Sequence, residues 1–236
     1  MRNNIAVLAG QKGTGKTTLA RELVAQAPRV VVIDPMGEYG LESGCSPVWG
    51  FEAACEALLD AEPRSRFRLS LRSEDTDDLL DLLGLAWDMP GILLTVEEAT
   101  LFCGPTTLPP EISRLLRYGR HRAIDQLYVT QRIAEISRTM TALADHVITF
   151  RQTEPGDLDH LRRRGFDPLA VMALGVDPRD PRKSQVLAVG DRDALPWPVV
   201  IRLRPERAPQ LPLDERAEPD LDSAPESQLE GPEDES

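Results

Sequence analysis

The segment Gly10-Gln11-Lys12-Gly13-Thr14-Gly15-Lys16-Thr17 constrains this chain more than any other. It follows a short apolar run at residues 5–9 and precedes helix formers at residues 16–26, with Leu19, Leu23 and Val24 at helical spacing. Strand, glycine-rich loop and helix in that order form the context in which the pattern G-x-x-x-x-G-K-[ST] cradles phosphate. Gly10, Gly13 and Gly15 let the backbone wrap closely round an anion because they carry no Cβ. The loop amides, Thr14 among them, and the helix N-terminus direct partial positive charge at it. Lys16 is expected to reach the β- and γ-phosphates of ATP. The Thr17 hydroxyl is expected to ligate Mg²⁺, and Thr18 to cap the helix or touch the α-phosphate. Lys12 is read as solvated, without a role.

Further apolar runs at residues 30–33, 92–96, 126–130 and 146–150 read as buried strands, and an alternating run at 66–71 as a strand at a sheet edge. Helical spacing is found at 51–61, 75–87, 110–122, 134–144 and 156–164. Residues 185–189 and 199–203 read as a closing pair of strands. Short apolar strands alternating with helices predict an α/β fold, a mostly parallel central sheet flanked by helices on both faces.

A phosphate loop needs an acid at the end of a neighbouring strand to hold Mg²⁺. The run Ile92-Leu93-Leu94-Thr95-Val96-Glu97-Glu98 supplies two. Glu97 is expected to face the metal, and Glu98 to polarise an attacking water. Adjacent acids after a buried strand repel each other unless a cation lies beside them. A Glu in the metal position is less usual than Asp.

Four stretches then carry a resemblance. They are the phosphate loop; Val31-Val32-Ile33-Asp34-Pro35-Met36-Gly37-Glu38-Tyr39; the Glu97-Glu98 strand; and Gly119-Arg120-His121-Arg122 followed by Tyr128-Val129-Thr130-Gln131-Arg132 and Ala144-Asp145-His146. Together they resemble the HerA/FtsK group of hexameric P-loop ATPases, which includes DNA translocases and viral genome-packaging ATPases. The zonular-occludens-toxin-like proteins of filamentous phages share the same core. The resemblance implies a RecA/HerA-FtsK-like P-loop NTPase domain. It also implies that Gln131 senses the γ-phosphate and that Arg120 or Arg122 serves as a finger for the neighbouring subunit's ATP. Asp34 and Glu38 are expected to line the same cleft, although Asp34-Pro35 also reads as a simple turn.

Charge separates the chain into two parts. Residues 205–236 hold eleven acids and two arginines, a net −9 against −12 for the whole chain, so residues 1–204 carry only −3. A domain at 1–204 and a disordered acidic tail at 205–236 are the expected organisation. Sequence-independent grip on duplex DNA needs Lys or Arg at phosphates. No global basic signal exists, but Arg114, Arg117, Arg120, His121 and Arg122 share one expected helix, and Arg162-Arg163-Arg164 ends another. Cys45, Cys55 and Cys103 have neither zinc nor disulfide spacing. No apolar run approaches the ~20 residues needed to span a bilayer. The expected setting is therefore cytoplasmic or virion-associated, without direct membrane insertion.

These readings converge on an ATPase that translocates double-stranded DNA as a homohexamer, with a capsid, portal or membrane protein as a further partner. The alternatives are a morphogenesis or secretion ATPase of the zonular-occludens-toxin type and a nucleotide-gated binding module with little turnover.

Overall fold

The computed structural model describes residues 4–190. Within them one sheet is built from β1 (Ile5–Ala9), β2 (Arg29–Ile33), β3 (Ser46–Trp49), β4 (Phe67–Arg72), β5 (Leu93–Val96), β6 (Asp125–Thr130), β7 (His146–Thr149) and β8 (Leu187–Gly190). The strands lie in the order β3-β4-β2-β5-β6-β1-β7-β8. All neighbours are parallel except β7 and β8. The helices are α1 (Lys16–Gln26), α2 (Phe51–Ala61), α3 (Thr76–Ala86), α4 (Pro110–Tyr118), α5 (Arg138–Leu143), α6 (Pro155–Arg163) and α7 (Pro168–Met172).

The central strands are continuous apolar runs because both faces of the sheet are covered. Alternate side chains divide between two cores. Ala6, Leu8, Val30, Val32 and Val129 pack with Ala20, Leu23 and Val24 of α1. Val7, Val31, Ile33, Leu94 and Val96 pack on the other side, with apolar residues of α2 to α7. No helix among the described residues is long and apolar enough to cross a membrane. Cys45, Cys55 and Cys103 are unbridged.

Three sequence expectations are corrected. The strand at 66–71 is not at the edge, because β3 pairs outside it. The segment Ser46-Pro47-Val48-Trp49 has only two large apolar residues, and a strand interrupted by proline is tolerated only at an edge, where the missing N–H faces outward. The helix expected over 110–122 stops at Tyr118 and continues as a 3₁₀ turn, Gly119–Arg122. The buried Gln126 side chain causes the break. Its Nε2 donates to the Leu115 carbonyl at 2.8 Å, its Oε1 accepts from the Tyr128 hydroxyl, and a Cβ on Gly119 would lie 2.6 Å from that amide. Consequently Arg120, His121 and Arg122 do not share a helix with Arg114 and Arg117. The helix expected over 134–144 is split into a 3₁₀ turn, Ile133–Glu135, and α5, which starts where the Ser137 hydroxyl accepts the Thr139 N–H. The strand expected near 185–189 is present and pairs with β7; its expected partner at 199–203, the domain boundary at 204 and the acidic tail lie outside the described residues.

One buried ion pair fastens α6 to the rest. Asp157, fully buried in its first turn, accepts from Arg132 Nε at 2.7 Å and from the Ala134 N–H at 2.9 Å. Arg132 is partly exposed, so the pair is only half desolvated. Replacing Asp157 with Ala is expected to lower stability by about 2 kcal/mol, with Asp157→Asn losing less, as read by urea unfolding. A change within ~0.5 kcal/mol, the range of ordinary surface substitutions, would show the pair to be idle.

Candidate functional site

The glycine-rich loop joins β1 to α1 at the carboxyl ends of the parallel strands, where open α/β sheets form their crevice. It is held from both sides. The Gly10 amide donates to the Thr130 carbonyl at the end of β6, and the Gln11 amide to the Arg151 carbonyl just after β7, each at 3.3 Å. Gln11 Nε2 also donates to the Thr153 hydroxyl at 2.6 Å. Two glycines are required for different reasons. A Cβ on Gly10 would lie 2.6 Å from Phe150 Cβ. Gly15 has φ 105° and its Cβ would lie 2.9 Å from the Pro181 carbonyl, so both conformation and space exclude a side chain.

Lys16 is buried, and its Nζ donates to the Gln11 carbonyl at 3.1 Å, folded back across its own loop. Burial pushes its pKa below the ordinary value, while the negative charges of Glu97 and Glu98 act the other way. Lys12 is exposed, as expected of a solvated lysine.

The sheet order brings the two acids and the amide together. β6 lies between β5 and β1, so Gln131, just past β6, stands between the Glu97-Glu98 pair and the loop. Thr17 Oγ1 lies 3.3 Å from Glu97 Oε1. Gln131 Nε2 donates to Glu98 Oε2 at 3.0 Å, and the Thr100 hydroxyl donates to Glu98 Oε1 at 2.7 Å. Glu98 adopts a left-handed backbone conformation, φ 48° and ψ 58°, which is uncommon for a residue with a Cβ. That conformation turns the chain between the two acids, one 4% exposed and the other reaching towards solvent.

Glu97 is the most perturbed acid of the site. Burial pushes its pKa from the ordinary 4.5 up to about 7, while the Tyr39 hydrogen bond and Lys16 pull it down. Tyr39, itself fully buried, donates its hydroxyl to Glu97 Oε2 at 2.8 Å. Burial and the Glu97 charge raise the Tyr39 pKa well above normal, so it remains a donor. Asp34 supports this contact from beneath. Its carboxylate accepts from the Glu38 and Tyr39 amides at 2.8 and 2.9 Å, the Ser70 hydroxyl at 2.7 Å and Arg72 Nε at 3.2 Å. Arg72 also donates to the Tyr39 carbonyl. Asp34 is thus an internal hub rather than a cleft acid, and Glu38 pairs with Arg21 at the surface, 3.0 Å away.

The fit to magnesium rests on this donor set. A hydroxyl and a carboxylate face each other, and burial heightens that carboxylate's demand for a cation. A P-loop site takes its remaining oxygen ligands from phosphate and water, so it needs no three-acid cluster, and none occurs among the described residues.

Arg120 and Arg122 sit elsewhere. Both precede β6, at the amino end of a six-residue strand whose carboxyl end carries Gln131, roughly 20 Å along the sheet. They cannot reach this chain's own loop. Arg122 donates to the Trp87 carbonyl at 3.3 Å and pairs with Asp88 at 3.5 Å, whereas Arg120 is exposed.

The sequence alone points to no role for Tyr39, Arg72, Gln11 or Thr100. It also gives no sign of a cavity beside the loop on the α1 side. Leu19, Leu23, Phe150, Pro181 and Val186 wall it, and the ion pair of Arg182 with Glu22, 2.8 Å, lies at its rim. The 181–186 wall has no periodic pattern to announce it.

No protein-family model matches the chain, and no curated protein does. Solved structures do. The genome packaging NTPase B204 from Sulfolobus turreted icosahedral virus 2, in complex with AMPPCP, gives a TM-score of 0.61 at 20% identity, over 80% of this chain and 92% of that one. Its complex with AMP gives 0.60 at 20% identity, over 75% and 90%. VirB4 of Thermoanaerobacter pseudethanolicus gives 0.53 at 13% identity, over 80% and 89%. The shared feature is the fold, a mostly parallel sheet flanked by helices as in P-loop NTPases.

The raised Glu97 pKa makes a signed prediction for the nucleotide-free protein. Its stabilising contribution is fully present below the unfolded value near 4.5 and is lost as pH rises through about 7. The loss amounts to about 3 kcal/mol. Glu97→Gln should flatten that part of the stability–pH curve, and Tyr39→Phe should shift it to higher pH. Parallel curves for wild type and Glu97→Gln in urea would exclude a perturbed Glu97.

Proposed function

We propose that this chain, with its P-loop NTPase fold, is an ATPase whose hydrolysis is carried by Lys16, Thr17, Glu97, Glu98 and Gln131, and that it drives double-stranded DNA as an oligomeric motor. The observation that carries the reading is the convergence of Thr17 on Glu97 and of Gln131 on Glu98 at the mouth of one phosphate loop. The nucleotide-bound forms of the packaging NTPase B204 support ATP as the ligand.

In this reading Gly10, Gly13, Thr14, Gly15 and Thr18 shape the phosphate cradle. Lys16 leaves the Gln11 carbonyl and turns to the β- and γ-phosphates. The adenine base takes the cavity between α1 and residues 181–186, against Phe150 and Pro181. Thr17 and Glu97 would hold Mg²⁺, whose charge would offset that of the phosphates and favour the ionised form of Glu97. Glu98, oriented by Thr100 and Gln131, accepts a proton from the attacking water. Gln131 exchanges its bond to Glu98 for one to the γ-phosphate or that water, so the base is released when nucleotide is in place.

Arg120 and Arg122 fit a trans role, because each subunit's own nucleotide is out of their reach. A neighbour's arginine at the γ-phosphate would stabilise charge developing in phosphoryl transfer and make turnover depend on assembly as a hexamer. Packaging of a viral genome through a capsid or portal partner is the finer form of this proposal, suggested by the genome-packaging role that B204 is named for.

Phosphate release from Mg-ATP, with and without long duplex DNA, tests the reading. Lys16→Ala should abolish turnover. Glu98→Gln should lower it by about 10²–10⁴-fold while nucleotide binding persists. Wild-type turnover by Glu98→Gln would remove Glu98 as the base. Turnover that ignores DNA would keep the ATPase and remove the motor.

A further inference from the structure

On the face of the sheet opposite α1, a small cleft between α5 and α6 is lined by Arg138, Thr141, Ala142, His160, Arg163 and Arg164. None of these carries a carboxylate. Of the nearby acids, Asp157 is committed to Arg132, whereas Asp159 pairs with Arg162 and with Arg163 of the cleft wall at 2.8 and 2.6 Å, so a phosphate there would share Arg163 with it. Arg164 Nη2 is buried and makes no hydrogen bond to the described residues. A buried guanidinium nitrogen left unsatisfied is costly unless something outside the chain completes it.

The neutral polar groups of the cleft are bonded within the chain, which leaves the guanidinium groups as its donors to an anion. The Thr141 hydroxyl donates to the Arg138 carbonyl at 3.1 Å. His160 Nε2 lies 3.1 Å from that hydroxyl. Burial holds the His160 pKa below its ordinary value, with Arg164 and Arg138 adding to the effect. An oxyanion among the arginines would offset that repulsion.

We propose that the α5–α6 cleft binds a backbone phosphate of nucleic acid, its oxygens taken by Arg138, Arg163 and Arg164. Guanidinium forks pair bidentately with phosphate oxygens. The basic run continues out of the cleft through Arg162, which is well exposed, and so suits a polyanion better than a single free phosphate. Ala142 is the only apolar residue among those that line the cleft, and the arginine stems supply the rest of its carbon surface. In a chain whose first 204 residues carry a net −3, such a site concentrates the positive charge that DNA requires. The inference rests on the reading of the chain as acting on DNA, but binding through the cleft does not require turnover.

Equilibrium binding of a fluorescent duplex to the full chain, without nucleotide and across a range of salt, separates the two claims. Replacing Arg138, Arg163 and Arg164 together with Gln should weaken binding about tenfold or more at low salt. It should also make the slope of log K against log salt shallower by about 0.9 for each phosphate no longer neutralised, with affinity for a fluorescent ATP analogue unchanged. Unchanged duplex affinity and slope would overturn the cleft, whatever DNA does to hydrolysis. Loss of binding to phosphatidylserine vesicles with duplex binding intact would overturn it equally. The predicted loss of duplex binding, in a protein whose hydrolysis ignores DNA, would keep the cleft and remove the motor. The unaltered chain gives a second readout independent of folding. Titration with a short oligonucleotide should move the His160 ring resonances, and resonances that stay fixed would overturn the proposal.

Discussion

The site is organised round a carboxylate in a place where a charge is unwelcome. Glu97 is 4% exposed, and an isolated charge at that depth would take up a proton rather than stay ionised. The structure holds it near the boundary between the two states. Tyr39 donates to it, Lys16 lies within electrostatic reach, and Thr17 faces its other oxygen. Tyr39 reaches Glu97 only because Asp34, Ser70 and Arg72 fix the turn that follows β2. Two strands and their connections therefore serve one acid. A bound divalent cation would complete an arrangement that is electrostatically unfinished without it.

The order of the strands does the rest. Had β5 paired directly with β1, the acids would adjoin the loop with nothing between them. The insertion of β6 creates a slot, and Gln131 occupies it. The same strand separates the opposite ends of the sheet, so the arginines that enter it and the glutamine that leaves it address different partners. Beyond Gln131, the Arg132–Asp157 pair ties the start of α6 to the residues that follow β6. The Gln152 amide donates to the Gln131 carbonyl at 3.2 Å from the other side.

Local signals made the core of this legible. The glycine loop, the helix over residues 16–26 and the strands that end in Glu97 and Gln131 are all patterns of neighbouring residues, and the structure places them as read. What escaped depends on residues far apart in the chain. The Tyr39–Glu97 bond spans 58 positions, and nothing local marks that tyrosine as a partner. The end of α4 is set by Gln126 packing against Gly119, so a pattern read forwards along the helix runs past it. The β3 strand escaped because an edge position relaxes the very rules by which strands are recognised, as Pro47 shows. Asp34 was half legible: the turn was visible, but the buried network it feeds was not.

Glu98 carries one more consequence. Its left-handed backbone conformation costs an L-residue with a Cβ about 1–2 kcal/mol relative to the ordinary helical region, and glycine would adopt it without penalty. Stability alone would therefore favour losing this side chain. Selection for a better-folded protein, applied without selection for what the protein does, should drift towards Gly or Asn at this position. The retention of a carboxylate on such a backbone in related chains would then be a record of use, legible in an alignment as a position where the thermodynamically easier residue is consistently refused.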